Sequence, residues 1–261
     1  MNLIIPLAIV LDLDGTLLHS TKEVSQRNAD AIINCYKKGK KMIIATARPP
    51  RSVRTFLPDE ILELVSFVFY NGAYVTDLRE GIEEHISLQQ DLSADILEYC
   101  NREYPQCNVS VEVMDQWFAN TEINDSTLYN LKYQPQILMM EQLQQLEPTK
   151  ILMTGIDDVR PLQNVFGDQT KIVVTDGGKL IQVMNKGVSK ETGILKLCKH
   201  YGIKPSEIMV FGDDYNDIEM FRMSGYPVAM QNAIPELKEM AKEITDTNDN
   251  DGVAQVLERF I

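Results

Sequence analysis

The chain predicts an α/β fold, a doubly wound parallel-sheet core interrupted by an α+β insert, and three observations predict it. Short, nearly continuous apolar runs at Leu7 to Leu13, Lys41 to Ala45, Phe67 to Tyr70 and Ile208 to Phe211 suit strands buried on both faces. Helical patterns alternate with these runs at both ends of the chain, which is the signature of βαβ units. Between about Gly81 and Met184 the texture changes to helices mixed with hairpin-forming strands.

Taken in order, the run Leu7 to Leu13 reads as the first strand and ends in Asp12-Leu13-Asp14-Gly15-Thr16. In a strand, residues two apart point to the same side, so Asp12 and Asp14 would face one another and call for a cation or a shared proton. Gly15 permits a sharp turn there. A helix follows over Ser25 to Lys38, with Ala29, Ile32, Ile33 and Tyr36 at helical spacing and Gly39 as its stop. The second strand, Lys41 to Ala45, leads into Thr46-Ala47-Arg48-Pro49, and the third ends near Tyr70.

In the insert, Leu92, Ile96, Leu97 and Cys100 mark a helix, and Val109 to Val113, Lys150 to Thr154 and Lys171 to Thr175 read as strands. Asp176-Gly177-Gly178-Lys179 then turns the chain into Leu180 to Met184, a hairpin signal. The parallel core resumes with a helix from Lys190 to Tyr201, stopped by Gly202, and the strand Ile208 to Phe211 runs into Gly212-Asp213-Asp214-Tyr215-Asn216-Asp217. The expected domains are residues 1–80 with 186–261 as core and 81–185 as insert.

Parallel strands bring their carboxyl ends to one edge, where open α/β sheets place ligands. A hydroxyl, a lysine and several carboxylates would meet there. Such a set holds a hard cation through oxygen, most simply Mg²⁺, together with one phosphate. Composition narrows the partners. With 38 acidic against 25 basic residues, a net charge of −13 argues against nucleic acid, which needs a basic face. No apolar stretch approaches the roughly 20 residues of a membrane span, and the apolar start lacks a basic leader or cleavage site. A cytoplasmic protein, monomeric or weakly dimeric, is expected. Its four cysteines lack C-x-x-C spacing and read as reduced thiols.

These segments, with Asn71-Gly72-Ala73, Lys186-Gly187-Val188-Ser189-Lys190, Val228-Ala229-Met230-Gln231-Asn232-Ala233 and Asp251-Gly252-Val253, resemble the haloacid dehalogenase superfamily of phosphotransferases. More narrowly, the chain is similar to the Cof-type sugar-phosphate phosphatases of subclass IIB, which carry a large α+β cap on a Rossmann-like core. Asp214 departs from the pattern, since many relatives have glycine there.

The resemblance implies Asp12 as the nucleophile that forms an aspartyl-phosphate and Asp14 as the acid and base. It implies Mg²⁺ held by Asp12, the backbone carbonyl of Leu13 or Asp14 (Asp14 by family analogy) and Asp213. Thr46 and Lys190 would bind and neutralise the phosphoryl oxygens, with Ala47, Arg48 and Asn216 completing the substrate contacts. Asp217 would support Lys190 or a metal-bound water. The substrate would be a small phosphorylated metabolite, most simply a sugar phosphate, with selectivity from insert residues such as Asp115, Trp117, Glu122, Asn124 and Tyr129. Alternatives are a phosphomutase or phosphotransferase of the same superfamily, or a phospho-accepting signalling domain. The stretch Asp246 to Asp251 lacks calcium-loop spacing and reads as a solvated turn. His19 reads as part of a flap or the surface, and Met220 and Met223 as core.

Overall fold

The computed structural model describes residues 5–126, 128 and 132–261. They fall into two compact units, one made of the chain up to Glu84 with Ser189–Ile261, the other of His85–Val188. The first strands are β1 (Ala8–Leu11), β2 (Lys41–Ala45), β3 (Ser66–Phe69), β4 (Tyr74–Asp77) and β5 (Ile82–His85). Then come β6 (Asn108–Val113), β7 (Gln116–Ala119), β8 (Gln136–Ile137), β9 (Lys150–Thr154), β10 (Thr170–Thr175) and β11 (Leu180–Asn185). The last are β12 (Ile208–Gly212), β13 (Tyr226–Ala229) and β14 (Glu243–Ile244).

An eight-stranded sheet in the order β14-β13-β12-β1-β2-β3-β4-β5 forms the first unit. Strands β14 through β3 pair in parallel, and the direction reverses at β4. Register places Leu11 of β1 opposite both Ile44 of β2 and Phe211 of β12. The polar segments after these three strands therefore leave the sheet side by side. Strand β1 stops at Leu11, two residues short of the predicted Leu13, because the chain turns at Asp12.

The two helices predicted in the core form with the expected punctuation. In Gln26–Lys37, Ser25 accepts the Asn28 N–H at 3.1 Å, satisfying one of the first-turn donors, and Ala29, Ile32 and Ile33 are buried. In Lys190–Tyr201, Ser189 accepts the Thr192 N–H at 3.1 Å, and Gly202 ends the helix at φ 69°. Gly193 allows that helix to lie against the sheet, since a Cβ there would stand 2.5 Å from Val68 Cγ1. Lys190 is thus delivered, as the first helical residue, to a well-fixed place. Met220 is buried and Met223 half-buried.

The second unit carries a six-stranded sheet, β10-β11-β9-β6-β7-β8, antiparallel except where β7 meets β8. The predicted hairpin joins β10 to β11, with Thr175 opposite Leu180. The helix Gln90–Glu103 lays Ile96, Leu97 and Cys100 against Val109, Val111, Ile151 and Met153 of the sheet. All four cysteines are free and buried. Among the described residues no helix is long and apolar enough to cross a membrane.

Candidate active site

Beyond Leu11 the chain coils at once: Leu17 N–H donates to Asp12 O at 3.3 Å and Leu18 N–H to Leu13 O at 2.9 Å. Gly15 makes this turn at φ 78°, and a Cβ there would lie 2.1 Å from Asp213 Oδ2. Glycine is therefore required twice, for the backbone and for the approach of Asp213. The Thr16 hydroxyl completes the join by donating to Asp213 Oδ1 at 2.8 Å.

Lys190 is fully buried and donates to Asp12 Oδ1 at 2.5 Å and Asp217 Oδ1 at 2.7 Å. Asp217 Oδ2 in turn accepts the N–H groups of Asp213 at 2.9 Å and Asp214 at 3.2 Å. One aspartate therefore fixes both the lysine and the loop that carries Asp213. Carboxylate oxygens of Asp12, Asp213 and Asp217 lie within 4.8 Å of one another, with a single buried ammonium among them.

Electrostatics follow from that imbalance. Burial lifts the Asp12 carboxyl well above its ordinary range, Asp217 and Asp213 add to the rise, and Lys190 opposes it. Asp213 is pushed up to about 6, by burial first and by Asp217, against the Thr16 hydrogen bond. Burial works against the Lys190 charge, yet Asp12 and Asp217 outweigh it and raise its pKa. The cluster is short of positive charge.

Asp14 goes elsewhere. Its carboxylate accepts Arg48 Nε at 2.5 Å, Arg48 Nη2 at 2.8 Å and Lys22 Nζ at 2.7 Å. Burial alone would raise its pKa, but the Arg48 hydrogen bond and charge, with Lys22, hold it below the usual range. The Asp14 side chain is thus outside the carboxylate trio. The facing pair expected of a continuous strand does not form, because β1 has already ended. Arg48 also lies over the Phe56 ring at 4.7 Å, which fixes the guanidinium plane.

Thr46 is buried after β2, with its N–H on Val68 O at 2.8 Å. Its Oγ1 accepts the Arg48 N–H at 3.1 Å, so the hydroxyl proton remains for a ligand. Ala47 lies half-buried between them. Exposed Asn216 donates to Asn71 Oδ1 at 3.3 Å, and Asn71 N–H reaches Thr46 O at 2.9 Å. Asp214 is exposed and caps the next turn by accepting Tyr215 N–H at 2.8 Å.

Several participants carry no sequence signal of their own. Lys22 sits in a turn at φ 65°, and nothing local announces its pairing with Asp14. Nothing local to Asn71-Gly72-Ala73 announces that Asn71 joins Thr46 to Asn216. The stretch Asp246 to Asp251 differs from the solvated turn expected: Asn248, Asp249 and Asp251 bond residues 18 to 25, His19 among them. In the second unit Trp117 is buried with Ala119 and Ile123, and Asp115 is half-buried. Glu122 and Asn124 line a cavity of about 290 Å³ with Ser110 and Thr154. Tyr129 lies outside the described residues.

Comparison with known proteins gives this geometry a family. A model of the haloacid dehalogenase-like hydrolases matches residues 9–257. The 5-amino-6-(5-phospho-D-ribitylamino)uracil phosphatase YitU of Bacillus subtilis is 29% identical, the match covering 98% of this chain and 97% of that one. A second phosphatase of that name from the same organism, YcsE, is 27% identical over 97% and 95% of the two chains. Among solved structures, TM0651 from Thermotoga maritima superposes with a TM-score of 0.87 at 26% identity, covering 97% of this chain and 96% of that one. The chain belongs to the haloacid dehalogenase-like hydrolases and, within them, is a phosphatase.

Proposed function

We propose that the chain is a Mg²⁺-dependent phosphomonoester hydrolase that releases phosphate from a small phosphorylated metabolite, most simply a sugar phosphate, through an aspartyl-phosphate on Asp12. The observation that carries this reading is the buried Lys190 shared by Asp12 and Asp217 beside Asp213. Lys190 holds one Asp12 oxygen in place, and among the described residues no protein group donates to the other, Oδ2. That oxygen is the candidate nucleophile.

The donor set suits magnesium. Asp213 Oδ1 is occupied by Thr16, while Oδ2 has no protein donor among the described residues. With Asp12 and the Asp14 carbonyl this is an all-oxygen set in which burial first, and the neighbouring carboxylates with it, hold two carboxyl pKa values up, the condition a hard dication relieves. When bound, magnesium screens the carboxylates from the phosphoryl group and lowers the charge that its transfer must accommodate.

An Asp12 oxygen attacks phosphorus in line, and the bond from phosphorus to the substrate's bridging oxygen breaks. Asp14 gives that oxygen its proton, so an alcohol leaves. Water then attacks the phosphoenzyme, hands a proton to Asp14, and inorganic phosphate departs with Asp12 restored. Lys190 and Thr46 hold the equatorial oxygens. Asp14 takes up its proton from solvent as substrate binds: an incoming phosphate dianion competes for Arg48 and Lys22, and drawing their charge away from Asp14 lets its pKa rise.

Substrate selectivity is assigned to the unit His85–Val188, because the groups gathered around Asp12 recognise only phosphate and metal. A sugar or polyol phosphate is supported by YitU and YcsE, whose named substrate carries a phosphorylated ribityl chain. The test is phosphate release from a panel of sugar, polyol and aryl phosphates, with Mg²⁺ or with chelator. Release that persists after complete removal of divalent metal would overturn the metal assignment, and no release from any member would overturn the hydrolase.

A further inference from the structure

The acidic, Asn-rich stretch before the helix Gly252–Leu257 is unexplained by the chemistry above, and half-buried Asn248 and Asp251, with exposed Asp249, are engaged in hydrogen bonds to a distant segment. Asn248 Nδ2 donates to Leu18 O at 2.8 Å, and its N–H donates to Asn232 Oδ1 at 3.2 Å. Asn232 Nδ2 reaches on to Gly15 O at 2.7 Å. Asp249 Oδ1 accepts the Ser20 N–H at 2.7 Å. Asp251 Oδ1 accepts the Ser25 hydroxyl at 2.5 Å and meets His19 Nε2 at 3.1 Å. Five positions between Gly15 and Ser25 are gripped from one side.

The gripping loop is itself braced. Asp246 Oδ1 accepts Thr247 N–H at 2.7 Å and Asn250 Nδ2 at 3.0 Å, and Gly252 N–H reaches Thr247 O at 3.1 Å. Asp251 holds a left-handed conformation at φ 56°, which turns its carboxylate toward Ser25 and His19. Such strain persists only where surrounding bonds over-determine it.

The gripped segment carries the groups that face the proton donor. Lys22 N–H donates to His19 O at 2.9 Å, and Lys22 Nζ to Asp14 Oδ1 at 2.7 Å. Leu18 N–H binds Leu13 O at 2.9 Å, so Asp14 sits inside a loop closed by the residue that Asn248 holds. We propose that Asn248, Asp249 and Asp251, with Asn232, form a clasp that positions the segment Gly15 to Ser25, and through it Asp14 and Lys22, for proton delivery to the leaving oxygen. These are positioning residues, since none touches the reacting atoms. The inference rests on the reading of Asp14 as proton donor, and the experiment separates the two.

The leaving group supplies the discriminating readout. An alkoxide leaving from a sugar phosphate needs its proton, whereas 4-nitrophenolate leaves without one. Asn248→Ala and Asp249→Ala are compared with the parent and with Asp14→Asn on glucose 6-phosphate, or the best sugar phosphate found, and on 4-nitrophenyl phosphate. The clasp predicts that kcat/KM, which reads transfer to Asp12 and not the later hydrolysis common to both esters, falls for Asn248→Ala about tenfold further on the sugar phosphate than on the aryl ester, in the direction set by Asp14→Asn. It also predicts that Asn248→Ala adds little to Asp14→Asn when the two are combined. Exposed Asp249→Ala, whose backbone keeps its place, repeats the pattern more weakly. Equal loss on both esters, or full additivity with Asp14→Asn, would overturn the clasp and leave a merely structural strap. If Asp14→Asn itself lost kcat/KM equally on both esters, the donor reading would fall first and the clasp with it.

Discussion

Replacing Lys190 by methionine keeps most of the side-chain volume and removes the one ammonium among three carboxylates. Because Lys190 has no exposed side-chain surface and two short bonds, to Asp12 and Asp217, the change leaves buried acids without their partner. Breaking a buried pair by removing one member costs about 3–5 kcal/mol, and that range is expected at about pH 8 without divalent metal. The sign of the pH dependence follows from Asp12. Burial already raises its folded pKa above the unfolded one, and Lys190 is the group that opposes the rise. Without the lysine the folded form binds more protons than the unfolded form across a wider window, so the variant loses stability as pH rises and regains it toward about pH 5. The parent changes less. The readout is urea unfolding followed by hydrogen exchange of peptides spanning β1 and β12, which lie in the unit that carries the site. A deficit below about 1 kcal/mol at about pH 8, or one that fails to shrink at about pH 5, would refute the reasoning.

Further consequences follow from the same geometry. Gly15→Ala places a Cβ against Asp213 and forces φ 78° on a residue that resists it, so turnover falls by at least about tenfold and the magnesium requirement rises, read by initial rates over a Mg²⁺ series. Asp213 titrates near 6 and must lose its proton to bind metal, so magnesium affinity weakens as pH falls through that value, by about tenfold between about pH 7 and pH 5, measured by calorimetry. Affinity that does not change over that interval contradicts the ligand assignment. Asp14→Asn lowers kcat on sugar phosphates by about 10²- to 10⁴-fold while leaving substrate binding, checked by equilibrium dialysis against steady-state rates.

Much of the site was legible because each participant follows a core element at a recognisable junction. Asp12, Thr46 and Asp213 stand after β1, β2 and β12, apolar runs too short and continuous to be anything but buried strands. Lys190 opens a helix whose Ser189 start and Gly202 stop are both written in the sequence. The partner of Asp14 was less accessible, because alternation along a strand ceases to apply where the chain turns at Asp12. Which cation claims Asp14 depends on Lys22 and on Arg48 from another strand end, and no local pattern encodes either bond. The loop at Asn248 to Asp251 was opaque for a simpler reason. Its partners in residues 18 to 25 lie 226 to 232 positions away in the chain, so its composition reads as a turn until the fold closes on it.

The central claim is that phosphate passes through Asp12. The most direct measurement is rapid acid quench of the enzyme during turnover with Mg²⁺ and its best substrate, followed by mass analysis of the peptide containing Asp12. The account predicts a phosphoryl group on that peptide, formed and lost at rates compatible with kcat, and its complete absence from Asp12→Asn, which should also be inactive. Turnover by Asp12→Asn within about tenfold of the parent, a barrier change near 1.4 kcal/mol, would contradict it.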